Sequence, residues 1–390
     1  MHVLIADRVA PEVKLGLEAL GLQVSEQPDL GSLGLVAAVG ECEILVVTET
    51  PVSRRVIEAA GKLVLVIRAG SGTEGIDVQA ASERAIFVSH CPGYDAAARA
   101  EYALGLMVVA DREQASDEQG APAAGGLYGR RLGIYGYSPV AGRLAEAAAR
   151  LDMDVSLHTH ALPSSLAAEA GLRLANDAAS LFQRADIVSF HPEPPSDASD
   201  GLPAAGTEAL AALPDGTLVV AVEGVAAVDT PALAKAVTSG RLRAAIDAPR
   251  TGISGDVEAA LAAIEAQSGS IVTRERGAST LEAWRRAAAQ VVSVVHTFIT
   301  EGRVRDCVNL DGEQEAAGTL IVRHRHATRA LLAICDVLAE ADIAVLEVSS
   351  LSFARAGAGC VHLRLDAAPS PEVLQRIGRH QDIIHVDLAR

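Results

Sequence analysis

The chain has 390 residues, which predicts two to four domains at about 100–200 residues per domain. Its 33 basic and 50 acidic residues leave a net charge of −17, which weighs against nucleic-acid binding and against adsorption to an anionic membrane. The five cysteines include no CxxC pair, so neither a zinc site nor a disulfide framework is predicted, and reduced thiols favour a cytoplasmic protein.

Short apolar runs alternate with Ala-rich helical stretches from the first residues to about residue 273. This alternation predicts parallel β-sheets covered by helices on both faces, an α/β fold of the doubly wound class. The predicted strands are residues 3–6, 44–47, 64–68, 86–89, 131–135, 154–157, 187–190, 218–221, 244–247 and 271–273. Predicted helices include 143–150, 178–184 and 230–239, and the polar segment 114–126 is predicted to be a loop.

A turn joins strand 131–135 to the next helix, where a G-x-G-x-x-G dinucleotide-binding motif would stand. The three motif positions are Gly136, Ser138 and Ala141. Ser138 places a side chain where the pyrophosphate needs bare backbone, and Pro139 removes an N–H group from the N-terminus of the helix. Gly136, Ser138, Pro139 and Val140 are therefore candidate cofactor contacts that would hold NAD weakly or not at all.

The acidic residue that binds the ribose hydroxyls in such motifs is also missing. It is expected about 20 positions later, at the end of the next strand. Here that strand is followed by His158, Thr159 and His160. Two alternatives remain open: a nucleotide-type fold that has lost NAD or holds it weakly, and one that still binds NAD. The two histidines have no third ligand at metal-site spacing, and no metal site is predicted.

The order of elements changes after a second polar segment, 311–318. The prediction from there is strand 319–323, helix 330–341, strands 343–353 and 359–365, helix 371–380 and strand 383–388. Such a βαββαβ order is typical of a ferredoxin-like unit. Because it does not belong in a doubly wound sheet, we expect a separate domain over residues 319–390.

Several motifs together resemble those of the D-2-hydroxyacid dehydrogenase family. Segment 68–84 (RAGSGTEGIDVQAASER) resembles RAGVGVDNIDVEAATERG, segment 91–101 (CPGYDAAARAE) resembles APGGNTxSAAE, and segments 277–280 (GAST) and 306–310 (DCVNL) resemble GAST…NAVNL. The last unit resembles an ACT domain, as in the phosphoglycerate dehydrogenases of serine biosynthesis. The resemblance implies a flavodoxin-like substrate domain (1–98 and 286–310), a Rossmann-type dinucleotide domain (99–285) and an ACT-like domain (319–390).

The resemblance also locates the family's catalytic groups, and this chain departs at each of them. The Arg that holds the substrate carboxylate, the Glu that tunes the base and the His that accepts the hydroxyl proton correspond to Gly224, Gly252 and Glu275. No catalytic residue is therefore predicted at these positions. The Asp of the family's ALDV motif persists as Asp247, which is a further candidate cofactor contact.

The substrate cleft implied by the resemblance keeps a glycine-rich turn that could offer backbone N–H groups to an anion. The candidate cleft residues are Gly70, Ser71, Gly72 and Asp95, the last in place of a family Asn. Asp95, Glu223 and Glu275 are expected to lie together where an acidic substrate would bind. Their charges are then expected to repel a phosphorylated acid.

We therefore expect a phosphoglycerate dehydrogenase-like protein that has lost dehydrogenase activity, a pseudoenzyme with a binding, regulatory or assembly role. The alternative is an NAD-dependent oxidoreductase that acts on a 2-hydroxy acid, including 3-phosphoglycerate, with replaced catalytic residues. A third interpretation is a ligand sensor that works through the ACT-like unit. The expected partners are further copies of the chain in a dimer or tetramer, an active homologue or another protein, and a small-molecule ligand.

Overall fold

The computed structural model describes residues 1–28, 30–113, 125–161, 165, 167, 172–192, 205–250, 252–310, 316–354 and 357–389. The chain divides into two compact units, Met1–Asn309 and Leu310–Arg390. Of the two segments predicted to be polar loops, residues 114–124 and 311–315 lie outside the described residues. Within the described part, no helix is long and apolar enough to cross a bilayer.

The first sheet of the larger unit has five parallel strands in the order β2-β1-β3-β4-β5, a flavodoxin-like order. Its strands are β1 (His2–Ile5), β2 (Gln23–Glu26), β3 (Ile44–Val47), β4 (Leu65–Arg68) and β5 (Phe87–Ser89). The helices between them are α1 (Pro11–Ala19), α2 (Gly31–Ala38), α3 (Arg54–Ala59) and α4 (Val78–Glu83). The sequence does not predict β2, because this edge strand is largely polar and has no apolar run.

The second sheet has six parallel strands in the order β11-β10-β9-β8-β6-β7. Its strands are β6 (Arg131–Tyr135), β7 (Asp154–His158), β8 (Ile187–Phe190), β9 (Leu218–Ala221), β10 (Arg243–Ala248) and β11 (Ile271–Arg274). Its helices are α5 (Ala96–Glu113), α6 (Pro139–Arg150), α7 (Ala178–Arg184), α8 (Thr207–Ala211), α9 (Thr230–Thr238), α10 (Gly255–Glu265) and α11 (Leu281–Glu301). The two parallel sheets confirm the predicted α/β class.

The inner strands of both sheets are mostly buried, as a parallel sheet covered on two faces requires, whereas the edge strands β2 and β11 are only partly buried or exposed. Every residue of β3, β8 and β9 is buried. The long helix α11 returns to the first sheet and packs against α1. A Cβ atom at Gly16 of α1 would lie 2.5 Å from a methyl group of Val292, so the two helices approach this closely only because residue 16 has no side chain.

The strand order of the second sheet reverses between β6 and β8, and their carboxyl ends therefore lie side by side. Tyr135 is opposite Phe190, and the N–H of His191 donates to the carbonyl of Tyr135 at 2.8 Å. Gly136 makes the tight turn after β6 with φ +87°. In doubly wound sheets ligands bind at such a reversal, outside the carboxyl ends of the strands. The turn 136–139 and His191 thus meet where a ligand site is expected.

The smaller unit has one antiparallel sheet in the order β13-β14-β12-β15, flanked by two helices. Its elements are β12 (Gly318–Arg325), α12 (Ala327–Glu340), β13 (Val345–Ser352), β14 (Ala358–Leu365), α13 (Pro371–Gly378) and β15 (Ile383–Ala389). This is the βαββαβ order that the sequence predicts. Its assignment as an ACT-type domain stays a prediction.

Candidate functional site

The start of α6 is closed by its own side chains. Ser138 is the N-cap residue, and its hydroxyl oxygen accepts the N–H of Ala141 at 3.1 Å. Pro139 follows as the first helical residue and has no N–H to offer. The N–H of Val140 has no acceptor in the part of the chain that the structure describes. One of the backbone donors that would hold a phosphate therefore remains.

The loop after β9 brings Glu223 onto this helix start. The Ser138 hydroxyl donates to Glu223 Oε2 at 2.7 Å, and His191 Nδ1 lies 2.5 Å from the same oxygen. His191 Nε2 lies 2.9 Å from the Ser189 hydroxyl, and both of these residues are fully buried. The Glu223 side chain is 14% exposed. A carboxylate is thus fixed from two sides at the positive end of α6.

This arrangement does not fit the pyrophosphate of a dinucleotide. The phosphates would have to approach the N-terminus of α6, where Glu223 already supplies a negative group. Two unit charges 4 Å apart repel by about 1–4 kcal/mol between water-like and surface-like dielectric constants. The sequence predicts the unfavourable Ser138 and Pro139 but misses His191, which belongs to no motif and is recognisable only because it follows a neighbouring strand.

Asp247 lies at the end of β10 and is 2% exposed. Its carboxylate accepts the N–H groups of Arg276 and Gly277 at 3.0 and 2.8 Å and the hydroxyl of Thr273 at 2.8 Å. A Cβ atom at Gly277 would lie 3.1 Å from this carboxylate. In this structure Asp247 therefore anchors the turn that carries Glu275, and its predicted cofactor contact remains a prediction.

The three positions that correspond to family catalytic residues offer no imidazole and no cation. Gly224 and Gly252 have φ of +92° and +78°, a region that side-chain-bearing residues rarely adopt. Glu275 also has a positive φ, +46°, and its carboxylate lies 3.8 Å from Arg250 Nε. Restoring a side chain at either glycine would therefore strain the backbone.

A cavity of about 710 Å³ opens between the ends of β3 and β4 and the turns after β10 and β11. We call it the cleft. Four arginines and two glutamates line it: Arg8, Arg68, Arg99, Arg250, Glu49 and Glu275. The cleft also contains Trp284, the single tryptophan of the chain, a residue that is 43% exposed. Its lining is therefore cationic.

The expectation that three carboxylates meet in the cleft and repel an anion is wrong. Asp95 is 3% exposed and accepts from Arg99 Nε at 2.5 Å, so its charge is paired. Burial on its own would lower the pKa of Arg99, but the Asp95 carboxylate raises it above its ordinary value. Glu223 turns to Ser138, and only Glu275 faces the cleft. Each carboxylate has a local partner that spacing along the chain does not reveal.

The glycine-rich turn lies at the cleft in part. Gly70 and Ser71 line it, and their backbone N–H groups have no acceptor among the described residues. Gly72 does not line the cleft; its φ is +78° and its N–H donates to His90 Nδ1 at 3.1 Å. The structure therefore brings Gly70 and Ser71 to the cleft and leaves Gly72 and Asp95 out of its lining.

The family model for the D-isomer specific 2-hydroxyacid dehydrogenase catalytic domain matches residues 3–309. A D-3-phosphoglycerate dehydrogenase of Mycobacterium bovis is 33% identical over 327 residues, which cover 80% of this chain and 59% of that protein. A hydroxypyruvate reductase of Thermotoga maritima is 28% identical over 67% of this chain and 86% of its own.

Similar solved structures include an NAD+-bound 3-phosphoglycerate dehydrogenase from Entamoeba histolytica. It covers 80% of this chain and 99% of its own length, with a TM-score of 0.65 and 21% identity. At this identity the likeness concerns the fold. The chain spans about three fifths of the length of the mycobacterial relatives it matches.

Proposed function

The chain belongs to the D-isomer specific 2-hydroxyacid dehydrogenase family, and we propose that it is a phosphoglycerate dehydrogenase-like member that no longer transfers hydride. It uses the family scaffold for a binding, regulatory or assembly role. The observation that carries this proposal is the Glu223 carboxylate, held by Ser138 and His191 at the start of α6.

The negative charge at the start of α6 opposes the binding of a dinucleotide. A relative of known structure is described with bound NAD+, and a dinucleotide of this kind places its pyrophosphate on a helix N-terminus. In this chain that helix start already holds an internal anion, has a proline at its first position and has a serine hydroxyl as its cap. Weak or absent NAD binding follows from these three features together.

The side chains that the family uses for hydride transfer are replaced in this chain. Oxidation of a 2-hydroxy acid needs a base for the hydroxyl proton, and a base of this kind contributes about 10²- to 10⁴-fold to the rate. An imidazole, with an ordinary pKa of about 6.5, suits this task better than a carboxylate, and here Glu275 stands at the family's base position beside Arg250. Gly252 has no side chain to tune such a base. The carboxylate-binding arginine is absent from Gly224. The three losses fall in a single reaction centre.

Titration with NADH tests the proposal. We expect the wild-type protein to bind NADH only weakly, and Glu223→Gln to gain affinity by about tenfold, since removal of about 1.4 kcal/mol of repulsion corresponds to that factor. Glu146→Gln, on an exposed face of the same helix, is the matched control and should match the wild type. Tight NADH binding by the wild type, unchanged in Glu223→Gln, would overturn the cofactor argument.

The second candidate function is an NAD-dependent oxidoreductase that acts on a 2-hydroxy acid, with replaced catalytic groups. The cationic cleft favours it, because four arginines suit an acidic substrate. A substrate-dependent thermal shift that requires NADH would support this candidate. A small acidic ligand, and self-assembly or assembly with an active homologue, belong to the proposal in either case.

A further inference from the structure

Arg99 lies in the first turn of α5, at a position where the family motif SAAE has an alanine. Its Nε donates to Asp95 Oδ2 at 2.5 Å, and its Nη1 donates to the backbone carbonyl of Val222 at 2.6 Å. These two bonds fix the plane of the guanidinium group. The side chain is otherwise buried, with 22% of its surface exposed.

The guanidinium group still has unused donors on the cleft. An arginine has five N–H donors, and two of them serve Asp95 and Val222. Nη2 has no acceptor in the part of the chain that the structure describes. Because Arg99 lines the cleft, its remaining donors are available to a ligand there.

The guanidinium group of Arg99 lies close to the position of the missing family arginine. Val222, which holds the guanidinium, precedes Gly224 by two residues, and Gly224 is where the family arginine would stand. Arg99 therefore brings a guanidinium group from helix α5 to the end of β9, where the family arginine would stand. The N–H groups of Gly70 and Ser71, which have no acceptor within the described part of the chain, line the same cavity.

Two other arginines of the cleft already have acceptors or a nearby carboxylate. Arg68 donates to the carbonyl of Thr48 at 3.0 Å and to Glu74 at 2.7 Å. Arg250 lies 3.8 Å from Glu275. Arg99 combines a fixed plane, a compensated charge and free donors, which is the preorganisation that bidentate carboxylate binding requires.

We propose that Arg99 binds the carboxylate of the cleft's ligand in place of the arginine that is missing at Gly224, and that this ligand is a small organic acid. Backbone N–H groups of Gly70 and Ser71 complete the anion site. The inference deepens the binding role in the proposed function, and it requires no hydride transfer.

The fluorescence of Trp284 reports the test, because this residue is the only tryptophan and lines the cleft. The probes are pyruvate, D-glycerate and D-3-phosphoglycerate, with methyl pyruvate as the ligand without a carboxylate. We expect saturable changes with at least one acid and none with the ester. Arg99→Ala should weaken binding by about ten- to a hundredfold, the loss expected for hydrogen bonds to a charged group.

Two further variants keep the test decisive. Arg99→Lys retains the charge but not the planar fork, and should be about tenfold weaker than wild type even if the alanine variant fails to fold. Arg143→Ala removes an exposed arginine of α6 and should bind as the wild type does. Thermal unfolding of each variant checks that it is folded.

The proposal is overturned if folded Arg99→Ala or Arg99→Lys binds the acids as tightly as wild type, or if no acid binds the wild type. Inorganic phosphate that competes as strongly as the acids would overturn the carboxylate assignment. NADH formation in the presence of NAD+, measured on the same samples, would overturn the loss of hydride transfer while leaving the result for Arg99 intact.

Discussion

Glu223 and Arg99 define what the two sites of this chain can accept. Glu223 places a negative charge at the N-terminus of α6, while Arg99 presents guanidinium N–H donors to the cleft. A motif comparison can show that Gly224 and Gly252 lack functional side chains. It cannot show where Glu223 points, because that depends on His191, contributed by the strand end next to β6.

Arg99 is different, because the sequence does contain a signal for it. Asp95 and Arg99 are four residues apart at the start of a helix, a spacing that places opposite charges in contact. If Asp95 is considered without Arg99, the cleft is expected to be negatively charged, which is the wrong sign. Of the three carboxylates expected there, Glu275 is the one that lines the cleft.

Asp7 should make the loop at the mouth of the cleft sensitive to acid. Its carboxylate accepts the N–H groups of Thr48, Glu49 and Thr50, and also the hydroxyl of Thr50. Burial opposes the charge, but these hydrogen bonds together hold the pKa of Asp7 below its ordinary value of 3.8. The stabilisation is therefore present above pH 3.8 and is lost as the pH falls below it.

We expect Asp7→Asn to lower the free energy of unfolding by about 1–3 kcal/mol at pH 7, since it weakens several bonds to a charged acceptor. The difference from wild type should shrink as the pH falls below 3.8. Denaturant unfolding at a series of pH values measures it. A difference that grows toward acid pH would contradict this account of Asp7.

At the scale of elements, the compact apolar strands were predictable, whereas the polar edge strand β2 was not. Strands β3, β6, β8 and β9 have the predicted bounds, because each is a compact apolar run. Helix α6 begins at Pro139, four residues before its predicted start. Its N-terminal signal is the N-cap Ser138 followed by proline, a pair that favours a helix start.

The contact between α1 and α11 leads to a prediction with an unusual sign. Gly→Ala inside a helix normally stabilises by about 1 kcal/mol. At Gly16 the new methyl group would meet Val292 at 2.5 Å, so we expect Gly16→Ala to destabilise instead, by about 1–3 kcal/mol.

Val292→Ala removes the obstructing methyl groups. In that background Gly16→Ala should recover its normal stabilising effect, which a double-mutant cycle measured by denaturant unfolding would detect. If Gly16→Ala stabilises the otherwise unchanged chain, the close contact between α1 and α11 is not present in solution.

At the scale of the whole molecule, three sheets follow from the alternation of elements and from the change of order near residue 318. The larger unit has its own buried cores, and the smaller unit has another, formed by residues such as Leu320, Ile334 and Leu363. Separate cores predict separate folding. The domain boundary within the larger unit stays a prediction, because residues 1–309 form one compact unit.

We therefore expect a chain that ends at Asn309 to fold. Its affinity for the small acids, measured by Trp284 fluorescence, should stay within about twofold of the full chain's. If the predicted homo-oligomer depends on the smaller unit, light scattering should give a lower mass for the shortened chain than for the full chain. Loss of cooperative unfolding in the shortened chain would show that the two units do not fold independently.

The loss of hydride transfer in this family member is tested most directly by measuring NADH formation from D-3-phosphoglycerate and NAD+ with the purified full chain. We expect no NADH formation above the rate without protein, at any substrate concentration. Steady NADH formation that Arg99→Ala abolishes would contradict it, because the activity would then belong to this cleft.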